Sequence, residues 1–351
     1  KNMSVLSILL AFYRQCCESS ALKSLEPLKK RIDSLEQNAA SAYTGKMPPV
    51  KQKEQPMARH LAGMKPVALK GRPVRRGIDP TRARRCAMKL ALIGYGKMGV
   101  RIEEIAVARG HEIAAVIDPH AKEKTSRLGA EIAASFDAAD IANNLGEADV
   151  AIEFTQPDSV VGNIRELSRR RIPAVIGTTN WFHRLDEVKR IIEMDGSRLL
   201  YAPNFSLGVN ILYRIVSYAA QLMDSFPEYD VGGYEIHHNE KKESPSGTAK
   251  ILVEKIITAM KRKKTPVWDA LDRPPSPEEI HFSSLRVGAE PGSHAARFDS
   301  PADTIEIKHT ARNRDGFALG AVRCAEWLAN EEDGGVERRG VFTIDDFLED
   351  V

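Results

Sequence analysis

From Lys89 onward the apolar residues fall into short continuous runs separated by stretches with helical periodicity. Lys89-Leu-Ala-Leu-Ile-Gly94 is unbroken rather than alternating, as expected of a strand covered on both faces of a parallel sheet. A helical pattern runs from there to Arg109, and His111–Asp118 reads as a second strand. Asp149–Phe154, Ile172–Ile176 and Leu199–Ala202 repeat the motif, so strands alternate with helices. That order predicts an open α/β sheet. Polar or glycine-bearing segments follow the strands: Thr155-Gln-Pro-Asp158, read as the cap of the next helix, Gly177-Thr178-Thr179, and Pro203-Asn204-Phe205-Ser206. The loops at the carboxyl ends of the strands are where such a sheet places its ligand.

The pattern then changes. A long amphipathic helix is expected over about Gly208–Asp224, a strand over Tyr229–His237, and a helix from Thr248 to about Met260. Strands follow near Ile280–Val287, Ala295–Ser300 and Thr304–Thr310, and Gly316–Leu328 reads as a helix returning to the first sheet. The expected fold is therefore α/β: a Rossmann-type dinucleotide-binding domain, 88–205 with 315–351, plus a smaller α+β substrate and oligomerisation domain, 206–314. Substrate would lie in the cleft between them.

Charge separates this body from what precedes it. Residues 1–87 carry 18 Lys/Arg against 6 Asp/Glu, a net of +12, whereas the remaining 264 carry 33 against 42, a net of −9. An acidic body argues against a nucleic-acid partner, which needs clustered Lys and Arg. The apolar stretch 4–13 lacks a convincing cleavage site for a signal peptide. Leu22, Leu25, Leu28, Ile32 and Leu35 recur at helical steps around Pro27, and 45–87 is basic and rich in Pro without a hydrophobic period. Residues 1–87 read as a disordered leader: an over-long start or expendable extension before Met88, with an organellar transit peptide or a nucleic-acid-binding arm as alternatives. Four cysteines (Cys16, Cys17, Cys86 and Cys324) leave one in the body, which fits a reducing, cytoplasmic setting. No run approaches the roughly 20 apolar residues of a membrane span, so no membrane association is expected.

Two constellations carry candidate chemistry. Gly94-Tyr95-Gly96-Lys97-Met98-Gly99 lies between a strand and a helix, and Asp118 ends the next strand 19 residues after Gly99. In that setting the glycines permit close approach of a pyrophosphate, and the acid faces the ribose. Asp118 would repel a 2′-phosphate. The residues after it, Pro119 and His120, include no Arg, although Lys122 and Lys124 are near. NADH is the expected preference, with NADPH tolerated. The second constellation is His237-His238-Asn239-Glu240-Lys241 followed by Ser246-Gly247-Thr248 at a helix start. A titratable imidazole, a cation and free backbone N–H groups together suit an acidic small molecule. No metal is expected, because adjacent histidines on a strand point to opposite faces and no acid or Cys stands at ligand spacing. His294 and His309 read as core or edge histidines.

These motifs resemble the 4-hydroxy-tetrahydrodipicolinate reductase (dihydrodipicolinate reductase) family. The resemblance spans about 88–350 and rests on Gly94-Tyr-Gly-Lys-Met-Gly99, Glu153-Phe-Thr-Gln-Pro157, Gly177-Thr-Thr179, Ala202-Pro-Asn-Phe-Ser-Leu-Gly-Val-Asn210, Glu235-Ile-His-His-Asn-Glu-Lys241 and Ser244-Pro-Ser-Gly-Thr-Ala249. It implies NAD(P)H-dependent reduction of 4-hydroxy-tetrahydrodipicolinate in lysine (diaminopimelate) biosynthesis. The implied roles are His237 as proton donor, Lys241 as catalytic or carboxylate-binding cation, and His238 with Ser246, Gly247 and Thr248 at the substrate. The glycine loop, Gly177-Thr178-Thr179 and Ala202-Pro203-Asn204-Phe205 would line the cofactor, and the implied assembly is a homotetramer. The chain departs from the family in a glycine loop shorter by one residue, in Asn180 where Gly is usual, in Lys242-Glu243, and in a compact segment over 263–284. Another two-domain nicotinamide reductase or amino-acid dehydrogenase would share the architecture without needing the Ser-Gly-Thr cradle. A non-catalytic dinucleotide sensor would not need His237 and Lys241.

Overall fold

The computed structural model describes residues 87–142, 145–330 and 338–351. The chain divides into Lys1–Arg75 and Arg76–Val351, and all described residues belong to the latter. The apolar stretch, amphipathic pattern and basic Pro-rich segment of 1–86 lie outside the described residues.

The first sheet has seven strands, all parallel: β1 (Lys89–Ile93), β2 (Glu112–Ile117), β3 (Ile132–Ala133), β4 (Val150–Glu153), β5 (Ala174–Ile176), β6 (Arg198–Tyr201) and β12 (Gly340–Thr343). Their spatial order is β12-β6-β5-β4-β1-β2-β3. The order reverses between β1 and β4, which opens a crevice at their carboxyl ends. Alternate side chains of β1 serve two cores. Leu90 and Leu92 pack with Ile102 and Ala106 of α1 (Lys97–Ala108) and with Ala321 and Leu328 of α7 (Asp315–Ala329). Ala91 and Ile93 face Ile164 of α3 (Val160–Arg169) and Val188 of α4 (Leu185–Asp195). The short α2 (Phe136–Ala142) lies between β3 and β4 in the chain.

The second sheet runs β11-β10-β7-β9-β8, from β7 (Asp230–His237), β8 (Thr265–Val267), β9 (Glu279–Arg286), β10 (Ser293–Asp299) and β11 (Thr304–Thr310). It is mixed: β7 is antiparallel to β10 and parallel to β9. Against one face lie α5 (Leu207–Met223) and α6 (Gly247–Ala259), whose Leu212, Val216, Leu252 and Ile256 bury Val231, Ile280, Phe282 and Phe298. The Rossmann-type sheet and the second, α+β unit are thus both present.

The chain crosses between the sheets after β6 and again after β11. Close packing fixes the second crossing: a Cβ added at Gly320 of α7 would stand 1.8 Å from the Phe205 carbonyl oxygen of the first. Arg101 of α1 pairs with Asp315 at 2.5 Å, and Arg109 and His111 both reach the buried Glu326 of α7. Three strands were not foreseen, β3, β8 and β12. Each is too short to show a period, and β12 is completed by pairing with β6. The Thr155–Asp158 segment does not cap α3: Ser159 occupies that position, without a side-chain cap bond. Among the described residues no helix is long and apolar enough to cross a membrane.

Candidate active site

The glycine loop is shaped by its neighbours. Gly94 has φ +91°, and a Cβ there would lie 2.1 Å from the Phe154 carbonyl oxygen, so only Gly fits. Gly96 stands at the N-cap of α1, where no side chain caps the helix and no acid enters the first turn. A Cβ on Gly96 would meet nothing within 4 Å, so there is open space beside the helix start, whose first N–H groups lack intrahelical partners. An uncapped positive helix end beside open space fits a pyrophosphate. Asp118 sits beside it, accepting from Tyr95 N and His120 N, each at 2.8 Å. The Tyr95 hydroxyl donates to the buried Glu103 and accepts from Arg127 N, which pins the loop from behind.

The neighbouring strand ends are wired together. Thr155 N donates to Thr178 Oγ1 at 2.7 Å, and the buried Trp181 donates Nε1 to Thr178 O at 2.8 Å. Asn180, where the family has Gly, has φ +66°. Asn is among the residues that best tolerate this left-handed region, so the departure keeps the turn. Glu153, quoted within a motif but given no role from sequence, is fully buried at the end of β4. Burial pushes its carboxyl up, against hydrogen bonds from Thr155, Thr178 and Asn163. After β6, Asn204 Oδ1 accepts from Ser206 N, while its carbonyl accepts from Asn210. Phe205 is buried behind it.

The His237 end of β7 is organised by a carboxylate. Glu235, two residues earlier on the same face, is fully buried and accepts from Ser246 N, Ser284 Oγ and Arg286 Nη2 at 2.9–3.2 Å. His237 Nδ1 lies 3.6 Å and His294 Nε2 3.5 Å from Glu235 Oε2. Burial alone would raise the Glu235 carboxyl, but the bonds from His294, Ser246 and Ser284 and the nearby His237 outweigh it and hold the group well below the carboxylate range. Burial pushes the His237 imidazole down. Glu235 opposes this, whereas His294, Arg286 and Lys241 add to it. Ser246 caps α6, its Oγ accepting from Ala249 N and bonding His294 Nε2. Tyr213 beneath donates to the Thr248 carbonyl, and burial raises its phenol to about 12.

A cavity of about 950 Å³ has Lys97, Asn204, His237, His238 and Thr248 among its lining residues, whereas Asp118, Thr178, Lys241 and Gly247 do not line it. The expected opposition of His237 and His238 does not hold: β7 ends at His237, the chain turns there, and both line the cavity. His294 and His309 line it too, placed by strand pairing that no local pattern announces. His294 is indeed buried and bonded, as a core histidine would be, but it sits at the centre of the site. Lys241 is in the same loop, yet its Nζ pairs with Glu243 at 3.0 Å, an exposed and therefore weak attachment. An acid does stand near the histidines, contrary to the sequence-based reading: Glu235, His237 and His294 offer ligand atoms within 4.8 Å of one another. The oxygens of Glu235 already accept from Ser284, Ser246 and Arg286, and the guanidinium opposes a second cation there.

The comparisons with known proteins agree with this geometry. The sequence profile of the dihydrodipicolinate reductase N-terminus matches residues 88–205, and that of its C-terminus matches 208–348. The chain belongs to the dihydrodipicolinate reductase family. It is 37% identical over 267 residues to the 4-hydroxy-tetrahydrodipicolinate reductase of Christiangramia forsetii, covering 75% of this chain and 99% of that relative. It is 34% identical over 253 residues to the enzyme of the same name from Staphylococcus aureus, covering 70% and 97%. Among solved structures, the dipicolinate-bound dihydrodipicolinate reductase from Paenisporosarcina superposes with a TM-score of 0.58 at 20% identity, over 74% of this chain and 98% of that one. That match shows a shared fold. Dihydrodipicolinate reductases are nicotinamide-dependent oxidoreductases, and the uncapped α1 terminus beside Asp118 is the part of this fold that suits the cofactor.

Proposed function

We propose that this chain catalyses the NAD(P)H-dependent reduction of 4-hydroxy-tetrahydrodipicolinate to tetrahydrodipicolinate, a step of lysine biosynthesis. The observation that supports it most directly is one cavity lined by the histidine pair, by Thr248 at the start of α6 and by Asn204 on the cofactor side. The reaction takes up a hydride and a proton and releases water, and the bound reduced nicotinamide supplies the hydride. Gly247 and Thr248 in the first turn of α6, beside the Ser246 cap, receive one substrate carboxylate, and His238 contacts the ring. Lys241 exchanges Glu243 for the other carboxylate as the loop engages. His237 gives the proton to the carbon next to the one reduced, and the walls of the cleft exclude water from it. Gly94 to Gly99, Asp118, Gly177 to Thr179 and Ala202 to Phe205 hold the dinucleotide.

Asp118 favours NADH, since its carboxylate accepts from a ribose 2′-hydroxyl and repels a 2′-phosphate. A cytoplasmic homotetramer completes the reading. The single, buried cysteine of the body, Cys324, supports the reducing compartment, and the family resemblance supports the tetramer. The test is a spectrophotometric assay of NADH oxidation with freshly generated 4-hydroxy-tetrahydrodipicolinate, against a panel of keto acids. Turnover confined to the dipicolinate-type substrate is expected, and a larger kcat/KM for a keto acid would move the chain to a neighbouring dehydrogenase activity. His237→Gln should lower kcat by roughly 10²–10⁴, with cofactor affinity retained.

A further inference from the structure

The buried carboxylate at the root of the site has no part in the reaction as described, yet four elements converge on it. Glu235 comes from β7, Ser284 and Arg286 from β9, His294 from β10, and Ser246 from the start of α6. Arg286 reaches onward, donating to Lys241 O at 3.3 Å and to Glu243 O at 2.5 Å. One acid is thus bonded, directly or through one guanidinium, to the proton donor's strand, the anion cradle and the loop that carries Lys241. On the donor itself the arrangement is directional. His237 Nδ1 is buried, has no hydrogen-bond partner and lies 3.6 Å from Glu235 Oε2. The opposite edge, Nε2, is 3.0 Å from where a Cβ on Gly292 would stand, and Gly292 lines the cavity.

We propose that Glu235 is the positioning residue of this active site: its carboxylate orients His237 with Nδ1–H inward and Nε2 toward the cleft, and offsets the cationic groups that surround the donor. The inference rests on His237 being the donor. The groups facing His237 are Glu235 on its own strand, His294 stacked edge-on at 5.1 Å from β10, Arg286 from β9 and Lys241 from the loop, with His309 of β11 beyond His294. Only Glu235 is anionic among them. Without it, every charged neighbour disfavours the imidazolium, and an inward Nδ1–H would face no acceptor. The 3.6 Å approach of His237 Nδ1 is the longest contact that Glu235 makes in this network. It is expected to tighten to a hydrogen bond in the substrate complex.

The experiment measures kcat/KM against pH for the full chain, its Glu235→Gln and its His237→Gln variants, and records imidazole ¹⁵N signals of the unmodified protein, with His237→Gln assigning the resonance. Because the donor must be protonated, the rate falls as pH rises through the His237 pKa. Losing the anion should move that falling limb to lower pH by roughly 1–3 units, with the rate restored in acid. A Glu235→Gln rate lowered equally at all pH values, with the limb in place, would overturn the proposal and leave Glu235 a packing residue. Should Glu235→Gln fail to fold, the unmodified protein decides: neutral His237 is expected as the Nδ1–H tautomer, and the Nε2–H tautomer refutes it. A falling limb and kcat that both survive His237→Gln would refute the donor assignment itself, whatever the tautomer shows.

Discussion

Gly320 offers a sharp test of how the returning helix supports the cofactor side of the cleft. A methyl group there would lie 1.8 Å from Phe205 O and 2.9 Å from Phe205 C, backbone atoms that no rotamer change can clear. That is about 1.5 Å short of ordinary contact, so either α7 or the 202–206 segment must move. Overpacking of this kind costs about 1–3 kcal/mol. At about 2–4 °C per kcal/mol for a body of this size, Gly320→Ala should melt about 2–12 °C lower. Because Asn204 and Phe205 ride on the displaced segment, kcat/KM should also fall, by about 10–100-fold for a shift near 1 Å. Gly162 is the control. It is an exposed helical glycine in α3 with nothing within 4 Å of its would-be Cβ, so Gly162→Ala should gain about 0.5–1 kcal/mol and leave kinetics alone. Differential scanning fluorimetry and steady-state assays on both variants decide the matter. A Gly320→Ala protein that melts with the parent and turns over normally would refute the argument that this contact is a fixed backbone-to-backbone fit.

Further outcomes are expected. Burial holds the His237 imidazole below its usual range, so kcat/KM of the unmodified protein should decline with rising pH through a midpoint below about 6.5. The kcat limb should lie higher, since a bound dicarboxylate adds anions beside the ring, and coincident limbs would contradict this. Asp118→Ala should shift the ratio of kcat/KM values for the two reduced cofactors toward NADPH, and an unchanged ratio would mean the acid does not face the ribose. At Asn180, substitution by Gly should be tolerated, whereas Asn180→Val should cost about 1–2 kcal/mol for a branched side chain at positive φ, read from urea midpoints.

Much of the scaffold was legible because each signal was local. The glycine loop, the continuous strands β1, β4 and β6, and the Ser246 cap of α6 each declare themselves within a few residues. The heart of the site was half legible. Period-two alternation along β7 puts Glu235 on the His237 face, so the acid could have been found from spacing alone. His294 and Arg286 could not, because their approach depends on β10 and β9 flanking β7, a register set by tertiary packing. His238 was misplaced because a strand rule was extended one residue past the strand's end.

Trp181 gives the molecule an optical consequence. Its indole is sealed in the core and tethered to the carbonyl of Thr178, in the loop that frames the cofactor side of the crevice. The other two described tryptophans sit elsewhere, Trp268 against Phe282 and Trp327 against Phe342. Indole emission overlaps the absorption band of reduced nicotinamide but not that of the oxidised form. With the dinucleotide held as proposed, the emission of Trp181 should dim when the reduced form binds and recover once the hydride has gone.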